Sequence, residues 1–282
     1  MKITLGTVQF GINYGISNKN GIPSDSELSS IFETAKKVGI KYLDTAKSYG
    51  NSEDRIGKLS NNEFHIISKF PNVSNQEELR TVFLETLIKL NATSIYGYLA
   101  HNADVLIENL ALWNVLLELK KEGKINKIGY SLYHPEQLDK LIAMNLIPDL
   151  VQLPYSILDR KFESKFELLK SFGTEIHVRS VFLQGLYFMN PAELPEKLKP
   201  MQHILNEFQN YCFNENVSAA EVALNYVILN PKIDQVVLGI ENAEQLQENI
   251  NLVLNWKSNS SLFSKIEAIE IKDKSLLNPV NW

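Results

Sequence analysis

Short apolar runs alternate along the chain with longer stretches in which hydrophobic positions recur every three or four residues. The short runs are Lys2–Phe10, Lys41–Thr45, Phe64–Phe70, Ile95–His101, Lys127–Ser131, Leu150–Pro154, Glu175–Ser180 and Gln235–Leu238. They are rich in Val, Ile and Tyr and largely apolar on both faces, as parallel strands buried beneath helices must be. The clearest helical stretch follows Ser24. Ser24 and Glu27 have the spacing of a capping box, Leu28, Ile31, Phe32, Ala35 and Val38 fall on one face, and Gly39 ends the pattern. Ala111–Lys121 and Val222–Leu229 also read as helices. The stretch from Ser180 to Asp234 is too long for one crossover and is predicted to hold a long loop and two helices. No linker, low-complexity tract or charge block divides the chain, so residues 1–282 read as a single domain.

Eight strands each followed by a helix close into a barrel or lie in a doubly wound open sheet. An open dinucleotide-binding sheet carries Gly-x-Gly-x-x-Gly after its first strand. The first strand here ends in Gly6-Thr7-Val8-Gln9-Phe10-Gly11, without that spacing. The predicted fold is therefore α/β, a (β/α)8 TIM barrel, with its chemistry at the C-terminal strand ends. The chain has 282 residues, and such a barrel takes roughly 250.

Composition narrows the class. Hydrophobic residues make up 44%, and 28 basic and 33 acidic residues give a net charge of −5, mixed along the chain. There is no basic stripe for nucleic acid and no cationic amphipathic face for anionic lipid. Cys212 is the only cysteine, so an internal disulfide or multi-cysteine metal site is ruled out, in keeping with a reducing compartment. The N-terminal residues lack the apolar region of a signal peptide, and no run approaches the roughly 18 residues of a membrane span. These features predict a cytoplasmic enzyme. His65, His134, His177 and His203 show no metal-ligand spacing. Trp113 reads as packing, and Lys197–Pro200 as a solvated turn.

Four polar residues stand at three successive predicted strand ends: Asp44 and Tyr49 after the second, Lys69 in the third and His101 in the fourth. In a barrel all four face one mouth. A free tyrosine has a pKa near about 10, too high for efficient proton donation at neutral pH. A neighbouring lysine cation favours the phenolate, and an aspartate keeps that lysine charged. A histidine beside the phenol orients a substrate oxygen or relays a proton. Such a set is a general acid aimed at a carbonyl oxygen that becomes negative as hydride arrives. Taken singly, Lys69 reads as a loop end, His101 as a core histidine and Asp44 as a helix cap; the four together do not.

These residues give the chain its resemblance to the aldo-keto reductase superfamily over nearly its whole length. The resemblance is carried by Gly6-Thr7, Asp44-Thr45-Ala46, Tyr49-Gly50, Ser52-Glu53, Gly57, Lys69 and His101, then by Ile128-Gly129-Tyr130-Ser131, Gln152, Ser180 with Gly185, and Gly239 with Glu248-Asn249. It implies an NAD(P)-dependent oxidoreductase acting on a small carbonyl or alcohol substrate, possible sugar derivatives included. Tyr49 is then the acid, Lys69 and Asp44 tune it, and His101 orients the substrate. It also implies a cofactor, NADP(H) or NAD(H), extended across the barrel mouth. Gly6 and Thr7 belong to that cofactor-facing set. Ser131 and Gln152 match positions holding the nicotinamide carboxamide. Ser180, Val181, Phe182, Gln184 and Gly185 match the loop around the pyrophosphate. Gly239, Glu241, Gln245, Glu248 and Asn249 match the adenosine end.

The departures from the family pattern are informative. Leu132 stands where an asparagine is usual, which leaves more of the carboxamide to Gln152. Arg179 stands where an aromatic residue usually faces the nicotinamide. No Lys or Arg occupies Gly239, Glu241 or Gln245 to pair a 2′-phosphate, which predicts weak discrimination between NADH and NADPH; Lys197 and Lys199 are the alternative cations. The chain is short after Asn249 and ends Pro279-Val280-Asn281-Trp282, which predicts an open substrate pocket. Two competing readings fit the same residues. One is a cofactor-binding sensor or regulatory subunit with the same fold and negligible turnover. The other is a barrel hydrolase or isomerase using Asp44 and His101 with a metal, for which no second carboxylate cluster is present. The pattern leaves the oligomeric state open.

Overall fold

A computed structural model describes residues 1–15, 18, 21–257, 259–278 and 282. Its strands are β1 (Ile3–Gly6), β2 (Tyr42–Asp44), β3 (His65–Phe70), β4 (Ile95–Ala100), β5 (Ile125–Ser131), β6 (Leu150–Pro154), β7 (Glu175–Arg179) and β8 (Gln235–Gly239). All pair in parallel in chain order, and β8 returns to β1, with Leu238 opposite Leu5, to close an eight-stranded barrel. The helices are α1 (Val8–Gly11), α2 (Asp25–Lys37), α3 (Ser52–Leu59), α4 (Gln76–Lys89), α5 (Asp104–Glu108), α6 (Ala111–Lys121), α7 (Pro135–Ala143), α8 (Phe166–Ser171), α9 (Gln202–Asn214), α10 (Ala219–Ile228), α11 (Ala243–Leu254) and α12 (Ser260–Glu267). Among the described residues, no helix is long and apolar enough to cross a membrane.

Among the described residues, two hydrophobic clusters hold this arrangement. The larger lies between the strands and the helices and includes Leu5, Phe32, Tyr98, Tyr130 and Val178. The smaller is a plug of Ile67, Leu99 and Leu150, flanked by Tyr42 and Tyr96. Near Tyr96 lies a polar floor, where the Tyr96 hydroxyl donates to Glu175 at 2.7 Å and Lys127 Nζ stands 3.4 Å from the same carboxylate.

Several predicted elements differ from the observed ones. The first strand ends at Gly6 instead of continuing to Phe10. Thr7 turns the chain, its hydroxyl donating to the Asp44 carbonyl at 2.9 Å, and Phe10 is buried against Phe32 from a helical turn. Alternating apolar residues at Val8 and Phe10 thus serve a short helix. The Ser24 cap forms, its hydroxyl accepting from the Glu27 amide at 3.1 Å, but Glu27 does not close the box. Its carboxylate accepts from the Ala243 amide at 2.7 Å, at the start of α11. A carboxylate is stabilised by the free amides of a helix start, and here a neighbouring helix supplies one. The tenth helix begins at Ala219, ahead of the predicted Val222, because Ser218 and Glu221 form a full capping box. Leu150–Pro154 and Ala111–Lys121 coincide with prediction, and the long segment after β7 does hold two helices, α9 and α10.

Candidate active site

The site begins with two glycines. A Cβ at Gly11 would stand 1.9 Å from the Tyr49 carbonyl oxygen, and one at Gly50 would stand 2.4 Å from the Gly11 carbonyl oxygen. Gly50 also has φ +59°, a left-handed conformation that glycine adopts without strain. Backbone packed on backbone therefore fixes the segment that carries Tyr49. Ser52, fully buried, ties it further by donating to the Thr7 carbonyl at 3.0 Å. Glu53 accepts from Ser68 at 2.6 Å and from Thr86 at 3.1 Å, which braces α3 against β3 beside Lys69.

Lys69 is fully buried and Asp44 nearly so, and their Nζ–Oδ1 distance is 2.6 Å. Lys69 also donates to the Thr45 carbonyl at 2.9 Å, while Gln152 donates to the other Asp44 oxygen at 2.7 Å. Lys69 Nζ lies 5.1 Å from the centre of the Tyr49 ring, and the His101 ring meets that ring edge-on at 5.6 Å. Asp44 therefore anchors a lysine and caps no helix.

Protonation follows from burial and these charges. Burial lowers the Lys69 pKa, but Asp44 and Tyr49 outweigh it and hold the ammonium above the ordinary lysine range. Burial pushes the Tyr49 hydroxyl up, and the charges of Lys69 and Arg179 recover only part of that rise. The expectation of a lowered tyrosine pKa is thus corrected: desolvation wins over the neighbouring cation. His101 is held down to about 3, first by burial and then by Lys69 and Arg179, so its imidazole is neutral.

Asp44, Tyr49 and His101 line a cavity of about 850 Å³ at the barrel mouth, and Lys69 lies beneath its wall. Every residue matched above to a cofactor position lines the same cavity: Gly6, Thr7, Ser131, Gln152, Arg179, Ser180, Val181, Phe182, Gln184, Gly185, Gly239, Glu241, Gln245, Glu248 and Asn249. The loop after β7 has left-handed backbone at Ser180, Leu183, Gln184 and Gly185. Such strain costs on the order of 1–3 kcal/mol at a non-glycine residue. Fully buried Leu183, Leu186 and Tyr187 pin the loop, and Gln184 reaches across to the Tyr14 hydroxyl at 3.0 Å.

Some expectations change here. Gln152 spends one amide hydrogen on Asp44, so less of it is free for a carboxamide. Leu132 is fully buried and does not line the cavity. Gln245 accepts from the Glu241 amide at 2.8 Å. Lys199 pairs with Glu196 at 2.5 Å, and neither Lys197 nor Lys199 lines the cavity. Among the described residues, none beyond Leu252 lines it; Pro279, Val280 and Asn281 lie outside the described residues. Sequence reasoning missed Gln9, Tyr14 and Tyr133 as lining residues. Gln9 carried no signal in the sequence, because the predicted first strand runs through it to Phe10 and only the turn at Thr7 brings it to the mouth.

A dinucleotide fits these residues. The Gln9 amide oxygen is buried without a hydrogen-bond partner and lines the cavity, so it can accept from a bound group. A Cβ at Gly239 would stand 2.5 Å from Gln9 Nε2, so a side chain there would displace the Gln9 amide from its place in the wall. Among the described residues, no three His, Cys, Asp or Glu side chains cluster to hold a metal.

A closed eight-stranded parallel barrel with buried ionisable groups beside a cavity at its C-terminal mouth is the architecture of (β/α)8 enzymes. The Aldo/keto reductase family model matches residues 2–271, and the chain belongs to that family of oxidoreductases. Relatives include the NADH-specific methylglyoxal reductase of Escherichia coli, 25% identical over 84% of this chain and 86% of its own length. The oxidoreductase YqkF of Bacillus subtilis is 25% identical over 78% of this chain and 80% of its own length. Among solved structures, the holo form of an aldo-keto reductase from Bacillus halodurans superposes with a TM-score of 0.76 at 20% identity, covering 96% of this chain and 94% of that one.

Proposed function

We propose that this protein reduces an aldehyde or ketone to the alcohol with a reduced nicotinamide cofactor, and that Tyr49 is the proton donor. The observation that carries the reading is the buried Lys69–Asp44 pair beside Tyr49 and His101 at the base of a nucleotide-sized cavity. When bound, the cofactor supplies a hydride to the carbonyl carbon. Tyr49, protonated at neutral pH, donates its proton to the oxygen as negative charge gathers there. The fixed ammonium of Lys69 then stabilises the phenolate left behind. Neutral His101 offers a ring N–H to the carbonyl oxygen, orienting it without carrying the proton. Ser131 and Gln152 would hold the nicotinamide end, the loop from Ser180 to Gly185 would hold the pyrophosphate, and Gly239, Gln245 and Asn249 would border the adenosine.

Wild-type protein mixed with reduced cofactor and methylglyoxal should consume the cofactor. Tyr49→Phe should lower turnover by about 10²–10⁴-fold while cofactor affinity, read by fluorescence titration, stays near wild type. Retention of half the activity would remove Tyr49 from the mechanism. A wild type that binds cofactor and reduces no carbonyl would be a sensor.

On cofactor choice, NADH is expected to serve at least detectably. Glu241 and Glu248 line the adenosine end, and a 2′-phosphate wants a charge-assisted partner there. The NADH specificity of the E. coli relative supports this. Glu241→Arg should strengthen NADPH binding by roughly 1–3 kcal/mol. Wild-type protein that binds NADPH more than about a hundredfold tighter than NADH, or about 2.7 kcal/mol, contradicts the reading.

A further inference from the structure

We infer that the carbonyl substrate carries an oxyanion, a carboxylate or phosphate group, and that Arg179 is the residue that recognises it. This rests on the carbonyl-reductase reading above and names the substrate class for it.

The chain has four arginines. Arg55 pairs with Asp25, Arg80 with Glu118 and Arg160 with Glu267. Arg179 alone has no carboxylate partner among the described residues, yet it is half-buried in the cavity wall. It is also the one Lys or Arg that lines the cavity among the described residues. A cation withdrawn from water without a counter-charge is costly. A protein that keeps one beside its reacting groups holds a place for an anion.

The guanidinium is oriented as well as unpaired. Arg179 ends β7, and Nη2 donates to the Leu132 carbonyl at 3.0 Å. Cζ lies 4.4 Å from the centre of the Tyr133 ring. Stacking fixes the plane of the group and leaves its edge open. A guanidinium has about five N–H donors, and protein partners account only for the Leu132 bond and a long 3.4 Å contact to Ser180 Oγ.

Direction decides which anion is meant. Leu132 and Tyr133 follow β5, so the side chain runs across the end of β6, away from β8 and the residues matched to adenosine. Its charge is felt at the opposite wall, where it helps hold His101 neutral and pulls the Tyr49 pKa down. The open edge therefore serves the end of the cavity where the carbonyl must sit. The cofactor's pyrophosphate, expected at the loop after β7, is the competing anion.

The experiment compares carbonyl compounds by charge. Succinic semialdehyde and glyceraldehyde 3-phosphate are set against neutral butyraldehyde and glyceraldehyde, in wild type, Arg179→Met and Arg179→Lys. Wild type should favour at least one anionic aldehyde over its neutral counterpart by about tenfold or more, and which one distinguishes carboxylate from phosphate. Arg179→Met should lower the anionic-to-neutral ratio of kcat/KM by about ten- to a hundredfold, mainly through KM, and Arg179→Lys should recover part of it. With the cofactor saturating, raising salt to about 0.5 M should raise KM for the anionic aldehyde and leave that of its neutral counterpart unchanged. Calorimetry with succinate and 3-phosphoglycerate on the cofactor-loaded protein gives a readout without turnover; at least one should bind wild type and lose affinity in Arg179→Met.

An unchanged ratio in Arg179→Met overturns the inference. So does a loss confined to the cofactor dissociation constant, which would assign the guanidinium to the pyrophosphate. Neutral aldehydes reduced without anionic preference would leave the reductase standing and the inference refuted. If no aldehyde turns over, the reductase reading falls, and the calorimetry still decides whether Arg179 holds an anion.

Discussion

Burial acts on Tyr49 and His101 with opposite signs and the same result. It raises the phenol and lowers the imidazole, because in each case the charged form is the one that loses water. Both groups are neutral at pH 7, one with a proton to give and the other with an N–H to offer. With His101 at about 3, well below its ordinary 6.5, the profile of kcat/KM should show no imidazole limb between about pH 5 and 8. A limb near neutrality that disappears in His101→Asn would contradict this. The linkage has a definite sign: a depressed histidine pKa means that protonation favours the unfolded chain, so His101 costs stability as pH falls from 6.5 towards 3. The positions of Asp44, Lys69 and His101 are legible in sequence because each is a polar residue ending an apolar run. The direction of the Tyr49 shift is not, because the depth of its burial depends on segments far away in the chain. Arg179 is legible as a departure, but Tyr133 beneath it is not, since nothing local marks that ring as its support.

Helix contacts explain where element reading succeeds and where it stops. Capping signals are local, so Ser24, Ser218 and Asn242 all cap the helices they precede. Glu27 is different, because its partner is the Ala243 amide, 216 residues away. Spacing alone suggested a box within one helix, and tertiary proximity redirected the carboxylate to the start of α11. The contact also couples α2 to the helix that carries Gln245, Glu248 and Asn249. Glu27→Ala should lower stability by about 1 kcal/mol, the usual worth of a helix cap. It should also weaken cofactor binding measurably, with little change in turnover at saturation. A lowered melting temperature with unchanged cofactor affinity would show that α11 holds its place without this cap. The first strand teaches the same lesson: Val8 and Phe10 alternate as strand residues do, and only the Thr7–Asp44 bond shows that the chain turns.

At the scale of the whole barrel, ionisable groups lie in two layers. The mouth holds Asp44, Lys69, Tyr49, His101 and Arg179; the floor holds Glu175, Tyr96, Lys127 and, fully buried, His177, with Nε2 3.6 Å from Glu175. Burial opposes ionisation of Glu175, but His177, Tyr96 and Lys127 together prevail and hold its carboxyl at about 2. Its folded pKa is therefore below its ordinary 4.5, and the stability it contributes is complete above 4.5 and lost as pH falls towards 2. Glu175→Gln should melt at lower temperature than wild type at pH 7, with the gap narrowing in that acid window; a gap independent of pH would assign the loss to packing. The plug of Ile67, Leu99 and Leu150 also has a consequence for how these layers communicate. It is an insulating septum: three aliphatic side chains carry neither mobile protons nor orientable dipoles, so no hydrogen-bonded relay passes through them. The shifts of Tyr49, Lys69 and His101 arise from burial and from groups at the mouth, with no contribution from Glu175, Lys127 or His177, so charge added or removed at the floor should leave the titration of the mouth where it was. Glu175→Gln, which alters acid tolerance, should reproduce the wild-type pH–rate curve, and the base of the barrel can then be re-engineered for robustness while the reaction above is left undisturbed.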